Sequence, residues 1–273
     1  MTHAIVTHNG TFHADEVFAI ALLMLYFAKK SPKDSIEIFR TRDAKAIAKC
    51  VADKDTWVVD VGGSYEPFAR NFDHHQDGKL HASNMLVFFS LWSEMFAQEV
   101  AEILEGFFAG ISDWDTNKDG KMIAHTNGGS GFQTLSQVIS GFNRNPTDDK
   151  GQKDRFVISL AFASEIILNE IEKANQQVRA ETIYKSATPV TSKCCYFDEY
   201  CAVWKAKNEW LFAIQPDPKG FAIVAANSQK APLPTDDEIF AAGFNPIFVH
   251  PGRFIIVIET LDEAVLIAEK WLN

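Results

Sequence analysis

The sequence contains few cysteines, and none of them lie at metal-binding spacing. Its four cysteines are Cys50, Cys194, Cys195 and Cys201, and no C-x-x-C motif occurs. A structural zinc site and a disulfide framework are therefore not expected. We expect free, buried thiols in a reducing compartment.

Long hydrophobic segments are also lacking. The longest apolar run, residues 17–27, is far shorter than the ~20 residues that a membrane-spanning helix needs. No charged-then-apolar leader precedes the first strand-like segment, which begins at Ala4. We expect a cytoplasmic protein without a membrane partner.

Basic residues are in the minority. The chain has 26 Lys and Arg against 36 Asp and Glu, for a formal net charge of −10. A non-specific nucleic-acid binder usually has a basic surplus. An acidic surplus instead fits a protein that gathers carboxylates around cations.

The remaining composition is that of a globular protein. Of the 273 residues, 47% are hydrophobic and 23% are charged, which excludes a disordered or collagen-like chain. The length favours two domains, and 22 phenylalanines predict an aromatic-rich core.

The first half of the chain alternates strand and helix patterns. Strands are predicted at 4–7, 35–39 and 56–61, and helices at 15–29, 44–51, 83–92 and 97–108. Strands separated by helices imply βαβ units and a parallel sheet. The predicted fold class is α/β, with helices on both faces of that sheet.

The pattern changes towards the end of the chain. Loops are predicted at 116–131 and 143–153, and a long helix at 155–185. After a linker at 187–189, strands are predicted at 200–204, 210–214, 221–225, 247–250 and 254–259, with helices at 236–242 and 261–271. We predict two domains, 1–187 and a smaller α+β domain at 190–273.

Histidines and aspartates concentrate where predicted strands end. They are His8, His13 and Asp15 after the first strand, Asp60 at the end of a later strand, Asp73, His74 and His75 in the next loop, and Asp113 and Asp115 after a helix. Open parallel sheets bind ligands at the carboxyl ends of their strands. We therefore expect these residues to converge.

Such a cluster predicts a metal site. Imidazole and carboxylate together suit Mn, Fe, Co or Zn, and the set exceeds what one open metal site needs. Two cations about 3.5–4 Å apart, bridged by a carboxylate, would use the full set of ligands. Two-cation sites of this kind are suited to phosphoester hydrolysis. Taken singly, Asp60 also fits a turn before Gly62, His74 and His75 fit a structural loop, and Asp15 fits a helix N-terminus.

Three motifs carry a resemblance to a known family. They are THNGTFH at 7–13 followed by Asp15 and Glu16, VDVGG at 59–63, and FDHHQ at 72–76. The chain resembles the DHH phosphoesterase superfamily, and within it the melanocyte-proliferating-gene (Myg-type) family of DHH-like exonucleases. Residues 233–234 and 247–250 are similar to that family's carboxyl-terminal segment.

The resemblance implies a DHH-type catalytic domain, a smaller substrate-holding domain and two divalent cations, with Mn²⁺ favoured over Mg²⁺. It implies that one cation is held by His8, His13 and Asp60, and the second by Asp15, Asp60, His74 and a later aspartate. Asp60 would be the bridge, His75 would sit near the phosphate and Asp73 would orient the histidine loop.

The chain departs from the family pattern in two places. The later acidic motif contains both Asp113 and Asp115; Asp113 is our preferred ligand and Asp115 the alternative. Residues 251–254 replace a stretch that we expect to be richer in glycine.

The predicted activity is metal-dependent hydrolysis of phosphodiester bonds, and the resemblance favours an exonuclease on short RNA or DNA oligonucleotides. An alternative substrate is a small phosphorylated molecule such as pyrophosphate, a nucleotide or a dinucleotide. A non-catalytic metal-binding module is the alternative from another class. His250 is predicted to contact the substrate; the alternative is a surface histidine in a turn. The chain could also form a homo-oligomer, and the sequence leaves this open.

Overall fold

A computed structural model describes residues 1–116, 133–144 and 149–273, and for residue 149 it describes the backbone alone. The chain divides into two compact units, Met1–Ala174 and Asn175–Asn273. This boundary falls inside a long helix, upstream of the predicted linker at 187–189. The domain limits 1–187 and 190–273 stay a prediction.

The first unit is built on a five-stranded sheet. Its strands are β1 (Thr2–Thr7), β2 (Ser35–Arg40), β3 (Thr56–Val59), β4 (Tyr65–Glu66) and β5 (Asn71–Phe72), in the order β2-β1-β3-β5-β4. β1 pairs in parallel with β2 and β3, and β3 pairs in parallel with β5. Only β4 is antiparallel to its neighbour in this sheet. The predicted α/β class with parallel strands is confirmed.

Helices follow the strands along the chain. They are α1 (Ala14–Lys30), α2 (Ala44–Ala52), α3 (Ser83–Met95), α4 (Gln98–Thr116), α5 (Leu135–Gly141) and α6 (Asp149–Lys185), and a short 3₁₀ turn covers Pro67–Ala69. α6 runs from the first unit into the second. Of the helices in the described part of the chain, none has the length and apolar character that a bilayer-spanning helix requires.

The core of the first unit centres on α1. Every residue from Ala14 to Leu23 is buried, as its nearly all-apolar sequence predicts. Phenylalanines fill much of the surrounding core; among those fully buried are Phe12, Phe18, Phe72, Phe88 and Phe108. Burying one such side chain contributes roughly 1.5–3 kcal/mol. The prediction of an aromatic-rich core is confirmed.

The second unit has a six-stranded sheet of its own. Its strands are β6 (Thr188–Pro189), β7 (Cys194–Tyr196), β8 (Phe212–Asp217), β9 (Gly220–Ala225), β10 (Phe248–Val249) and β11 (Ile255–Ile258), in the order β10-β11-β9-β8-β7-β6. The helices are α7 (Trp204–Lys207), α8 (Asp236–Ala241) and α9 (Leu261–Trp271). Ile223, Ile256 and Ile267 belong to the core between sheet and helix.

Two local predictions were wrong. No strand covers 200–204: the strand lies earlier, at Cys194–Tyr196, and Trp204 begins α7. Trp204 is fully buried, so its aromatic character reflects packing and not strand propensity. The loop predicted at 143–153 gives way to helix at Asp149, and its residues 145–148 lie outside the described ranges.

Helix α4 also differs from its prediction. It continues from the predicted end at Phe108 as far as Thr116, the first residue of the loop predicted at 116–131. Residues 117–131 of that predicted loop lie outside the described ranges. The extension places both Asp113 and Asp115 on a helix.

Candidate metal centre

Three neighbouring parallel strands end at the same edge of the first sheet. His8 directly follows β1, Asp60 follows β3, and the segment Asp73–His75 follows β5. Because β1, β3 and β5 are adjacent and parallel, these residues meet there. The predicted convergence of His8, Asp60 and His74 is found in the structure.

The carboxylate of Asp60 lies between two imidazoles. Its Oδ2 is 3.2 Å from Nε2 of His8, and its Oδ1 is 3.2 Å from Nε2 of His74. Ser83 Oγ donates a hydrogen bond of 3.1 Å to Oδ1. Asp60 also has a φ of 57°, a left-handed conformation that is uncommon outside glycine and concentrates at functional sites. Each oxygen of one buried carboxylate thus faces a different histidine.

The first turn of α1 supplies two buried carboxylates. The backbone N–H of His13 donates to Oε2 of Glu16 at 2.7 Å, which orients Glu16 so that Oε1 lies 3.1 Å from Nε2 of His8. Oδ2 of Asp15 lies 3.7 Å from Nε2 of His74. Sequence reasoning did not propose Glu16 as a ligand. The sequence feature that could have indicated Glu16 is its position directly after Asp15, in the first turn of the same helix.

Helix α4 contributes Asp115 to the cluster. Oδ2 of Asp115 lies 3.4 Å from Nε2 of His74. Leu104, Phe108 and Ile111 are buried on the same helix, and Asp115 continues their 4-3-4 spacing. Asp113 is two residues away, about 200° around the helix axis. The structure therefore brings Asp115 to the site, whereas our sequence preference was Asp113.

Asp73 organises the histidine loop. Its Oδ2 accepts from Gly63 N at 2.6 Å, and its Oδ1 accepts from the backbone N–H of His74 and of His75 at 2.8 and 3.2 Å. Oδ1 is also 2.7 Å from Nδ1 of His75. The His75 side chain is 61% exposed and that of Asp73 only 3%. Asp73 therefore holds the ring of His75 at the surface of the cluster.

Within the described ranges, three groups have ligand atoms close enough to share a cation. They are His8, His13, Glu16 and Asp60; Asp60, His74 and His75; and His13, Asp15 and Asp115, with the ligand atoms of each group within 4.8 Å of one another. Asp60 belongs to two groups, and so does His13. Asp113 belongs to none of these three.

The carboxylates and imidazoles perturb one another strongly. Burial and the neighbouring charges of Asp60 and Glu16 raise the pKa of Asp15 well above its ordinary value. Burial opposes ionisation of Asp60, but hydrogen bonds from His74 and His8 outweigh it and lower the pKa of Asp60. Burial likewise disfavours the imidazolium of His8, yet the carboxylates of Asp60 and Glu16 raise its pKa to about 10.

The residues present fit divalent cations. Both carboxylate oxygens of Asp15 are buried without a hydrogen-bond partner among the described residues. Leaving such groups unpaired in the interior is costly. Cations bound by mixed imidazole and carboxylate ligands would satisfy all of these atoms.

His250 belongs to the second unit, whereas every group described above lies in the first. It follows β10, and its Nδ1 accepts from Gly252 N at 2.9 Å. Its ring centroid lies 4.0 Å from that of Phe254. The predicted role of His250 in substrate binding stays a prediction.

The largely buried histidines and carboxylates at the carboxyl edge of this parallel sheet form a possible metal-binding cluster. Residues 4–207 match the MYG1 exonuclease family model, which is described as an uncharacterised protein family (UPF0160). The chain belongs to this family.

Similar proteins carry the same family name. A Chlamydia muridarum "MYG1 protein" is 27% identical over an alignment 295 positions long, gaps included, which covers 97% of this chain and 96% of that protein. A Homo sapiens "MYG1 exonuclease" is 50% identical over 70 residues, or 26% of this chain and 16% of that protein. These family names support a nuclease-like function.

Proposed function

We propose that the chain is a DHH-type, metal-dependent phosphoesterase that hydrolyses phosphodiester bonds as an exonuclease on short RNA or DNA oligonucleotides. The observation that carries the proposal is the carboxylate of Asp60, whose two oxygens lie 3.2 Å from two different imidazoles. A carboxylate whose two oxygens each lie next to a different imidazole is suited to bridging two cations. The family name supports the choice of an oligonucleotide.

The proposed ligands are those that the geometry brings together. They are His8, His13, Glu16 and Asp60 for one cation, and Asp15, Asp60, His74 and Asp115 for the other, because these three carboxylates all lie within 3.7 Å of Nε2 of His74. We propose Mn²⁺ as the favoured cation and Mg²⁺ as the alternative. When bound, the two cations would activate water and neutralise charge that develops on the phosphate oxygens.

His75 is the proposed catalytic residue of the chain itself. If Nδ1 of His75 donates to Oδ1 of Asp73, 2.7 Å away, the opposite ring nitrogen, Nε2, is assigned to the substrate phosphate. Asp73 fixes the orientation and tautomer of that ring. The exposure of the His75 side chain supports contact with a substrate.

We assign the chemistry to the predicted domain 1–187, with helices on both faces of its sheet, and substrate holding to the predicted domain 190–273, including His250. The four cysteines are free, which supports the proposed cytoplasmic location. Cell fractionation tests that location.

A small phosphorylated substrate is the second candidate. The net charge of −10 favours it, because long nucleic acids prefer a basic track. Pyrophosphate, a nucleotide or a dinucleotide would then be the substrate.

The test is hydrolysis by the full chain after chelation and after adding back Mn²⁺ or Mg²⁺. Short RNA and DNA oligonucleotides, dinucleotides and pyrophosphate are compared side by side, with Asp60→Asn as the control for contaminating nucleases. We expect activity only with added metal and the highest kcat/KM on oligonucleotides. Full activity after exhaustive metal removal would contradict the mechanism. Metal binding without hydrolysis of any substrate would favour the non-catalytic module.

A further inference from the structure

The loop between β1 and α1 carries two of the proposed ligands. It begins with His8 and ends with His13, and both belong to one candidate group with Glu16 and Asp60. Residues 8–13 lie in neither a strand nor a helix, so their backbone polar groups need partners from outside regular structure. We call this segment the ligand loop.

Two arginines at the end of β2 hold the first half of the ligand loop. Nε and Nη2 of Arg40 donate to the backbone oxygens of His8 and Gly10 at 3.1 and 2.9 Å, and Nε of Arg42 donates to that of Asn9 at 2.9 Å. Because β2 pairs directly with β1, these contacts come from a neighbouring strand.

Asn143 holds the second half from a distant part of the chain. Its Oδ1 accepts from the backbone N–H of Phe12 at 3.0 Å, and its Nδ2 donates to the backbone oxygen of Phe12 at 2.7 Å. Asn143 lies two residues beyond α5 and 131 residues from Phe12. A carboxamide presents a donor and an acceptor side by side, so one side chain satisfies both backbone groups of Phe12.

Phe12 is the direct neighbour of His13. Its ring is fully buried and packs edge-on against Phe156, with 5.3 Å between ring centroids. The next backbone N–H, that of His13, donates to Glu16 at 2.7 Å. His13 itself is exposed, so packing restrains its ring little, and its position depends on the backbone that Phe12 anchors. A ligand that is already in place costs less ordering when the cation binds.

We propose that Asn143 is a positioning residue of the candidate metal centre, whose carboxamide holds Phe12 so that His13 reaches the cation shared with His8, Glu16 and Asp60. This inference rests on the proposed function, and it makes the segment after α5 part of the centre. The alternative is an asparagine that stabilises the fold without acting on the centre.

A double-mutant cycle on Mn²⁺ binding tests the proposal without using hydrolysis. In calorimetric titrations of the full chain, Asn143→Ala should weaken one of the two Mn²⁺ sites by about tenfold, as does the loss of other groups that orient metal ligands. His13→Ala should weaken the same site. In the His13→Ala background, Asn143→Ala should change Kd by less than about twofold, because the ligand that it positions is already gone. If the two effects multiply instead, Asn143 is only structural and the proposal is wrong.

Asn71→Ala is the matched control. Asn71 is also buried in the first unit, and its Nδ2 donates to the backbone oxygen of Val51 at 3.2 Å, at the amino end of β5. We expect this variant to lower Tm through the lost hydrogen bond and to keep the Mn²⁺ Kd within about twofold of wild type. Equal losses of Mn²⁺ affinity in Asn71→Ala and Asn143→Ala would overturn the proposal.

A second substitution covers the case in which Asn143→Ala does not fold. Asn143→Asp keeps nearly the same volume and an acceptor for the Phe12 N–H, and replaces the donor with an oxygen that faces the Phe12 carbonyl. It enters the same cycle with His13→Ala and is judged by the same criterion.

The proposed function fails in a different way from the role of Asn143. A non-additive cycle without hydrolysis of any substrate would support Asn143 and overturn the proposed function. An unchanged Kd in Asn143→Ala, in a chain that hydrolyses oligonucleotides with Mn²⁺, would overturn the role of Asn143 and leave the proposed function standing. A wild-type chain that binds no Mn²⁺ would overturn both.

Discussion

At the residue scale, Asp60 is the side chain on which the candidate centre most depends. Its two oxygens face His8 and His74, its backbone adopts a left-handed conformation, and Ser83 holds one oxygen in place. The sequence predicted Asp60 as a site residue because it ends a strand. The sequence could not show that each Asp60 oxygen faces a different histidine. This arrangement depends on the rotamer of Asp60 and on two loops that follow other strands.

Asp60→Asn is expected to disrupt both cation sites together. An amide offers a neutral oxygen and cannot balance two dications. Elemental analysis after equilibration with Mn²⁺ should give about two ions for wild type and fewer than one for the variant. His8→Ala, which removes a ligand from only one group, should retain about one ion. A wild-type ion count in Asp60→Asn would reduce Asp60 to a turn residue.

Metal binding is expected to release protons. The neighbouring carboxylates raise the pKa of His8 to about 10, so the metal-free protein carries an imidazolium there at pH 7. A ligating imidazole must be neutral. The apparent affinity for Mn²⁺ should therefore increase with pH, by up to about tenfold per unit for each proton released.

Calorimetry checks this proton release. Titrations of Mn²⁺ at pH 7 in two buffers with different ionisation enthalpies should give different observed enthalpies. His8→Ala should release about one proton fewer than wild type. Equal enthalpies in both buffers would contradict the prediction.

At the scale of secondary-structure elements, α4 decides which acidic residue reaches the centre. The sequence pattern ended this helix at Phe108, and both aspartates were therefore expected in the segment after it. Because the helix continues to Thr116, the two aspartates point about 200° apart, and only Asp115 contacts His74. The spacing of Leu104, Phe108, Ile111 and Asp115 contains this information once the helix is extended.

Asp115→Asn and Asp113→Asn form a matched pair on one helix. We expect Asp115→Asn to weaken Mn²⁺ binding by roughly tenfold or more, since it removes a charged ligand from one of the candidate groups. Asp113→Asn should bind as wild type does. The measurement is the Mn²⁺ Kd of each variant, with thermal unfolding as the check on folding. A larger effect from Asp113→Asn would return the role to our sequence preference.

At the scale of the whole molecule, the two units divide the predicted functions. The three candidate metal groups found among the described residues lie before residue 120, and His250 lies in the second unit. If chemistry belongs to the first unit and substrate holding to the second, substitutions in the second should leave metal content intact.

His250→Ala tests this division. We expect unchanged Mn²⁺ content and a kcat/KM on oligonucleotides lower by about 10- to 100-fold, for a loss of roughly 1.4–2.7 kcal/mol of transition-state contact. A small activated phosphodiester should be affected less. Wild-type kinetics on both substrates would leave His250 as a surface histidine, bonded to Gly252.

The sequence by itself determined that the first three strands form a parallel sheet and that histidines and aspartates converge at its carboxyl edge. Strand periodicity, alternation with helices and chain order are local properties, and the geometry of parallel sheets converts them into one shared edge. The motifs at 7–13, 59–63 and 72–76 also indicated the family to which the chain belongs.

Only the tertiary structure decided how those side chains meet. Glu16 faces His8 because His13 holds its other oxygen, and Asp115 was selected over Asp113 by the rotation of α4. Arg40 connects the loop at His8 to Phe156, more than a hundred residues further along the chain. Rotamers, helix phase and long-range packing depend on contacts between distant segments, which local sequence patterns do not encode.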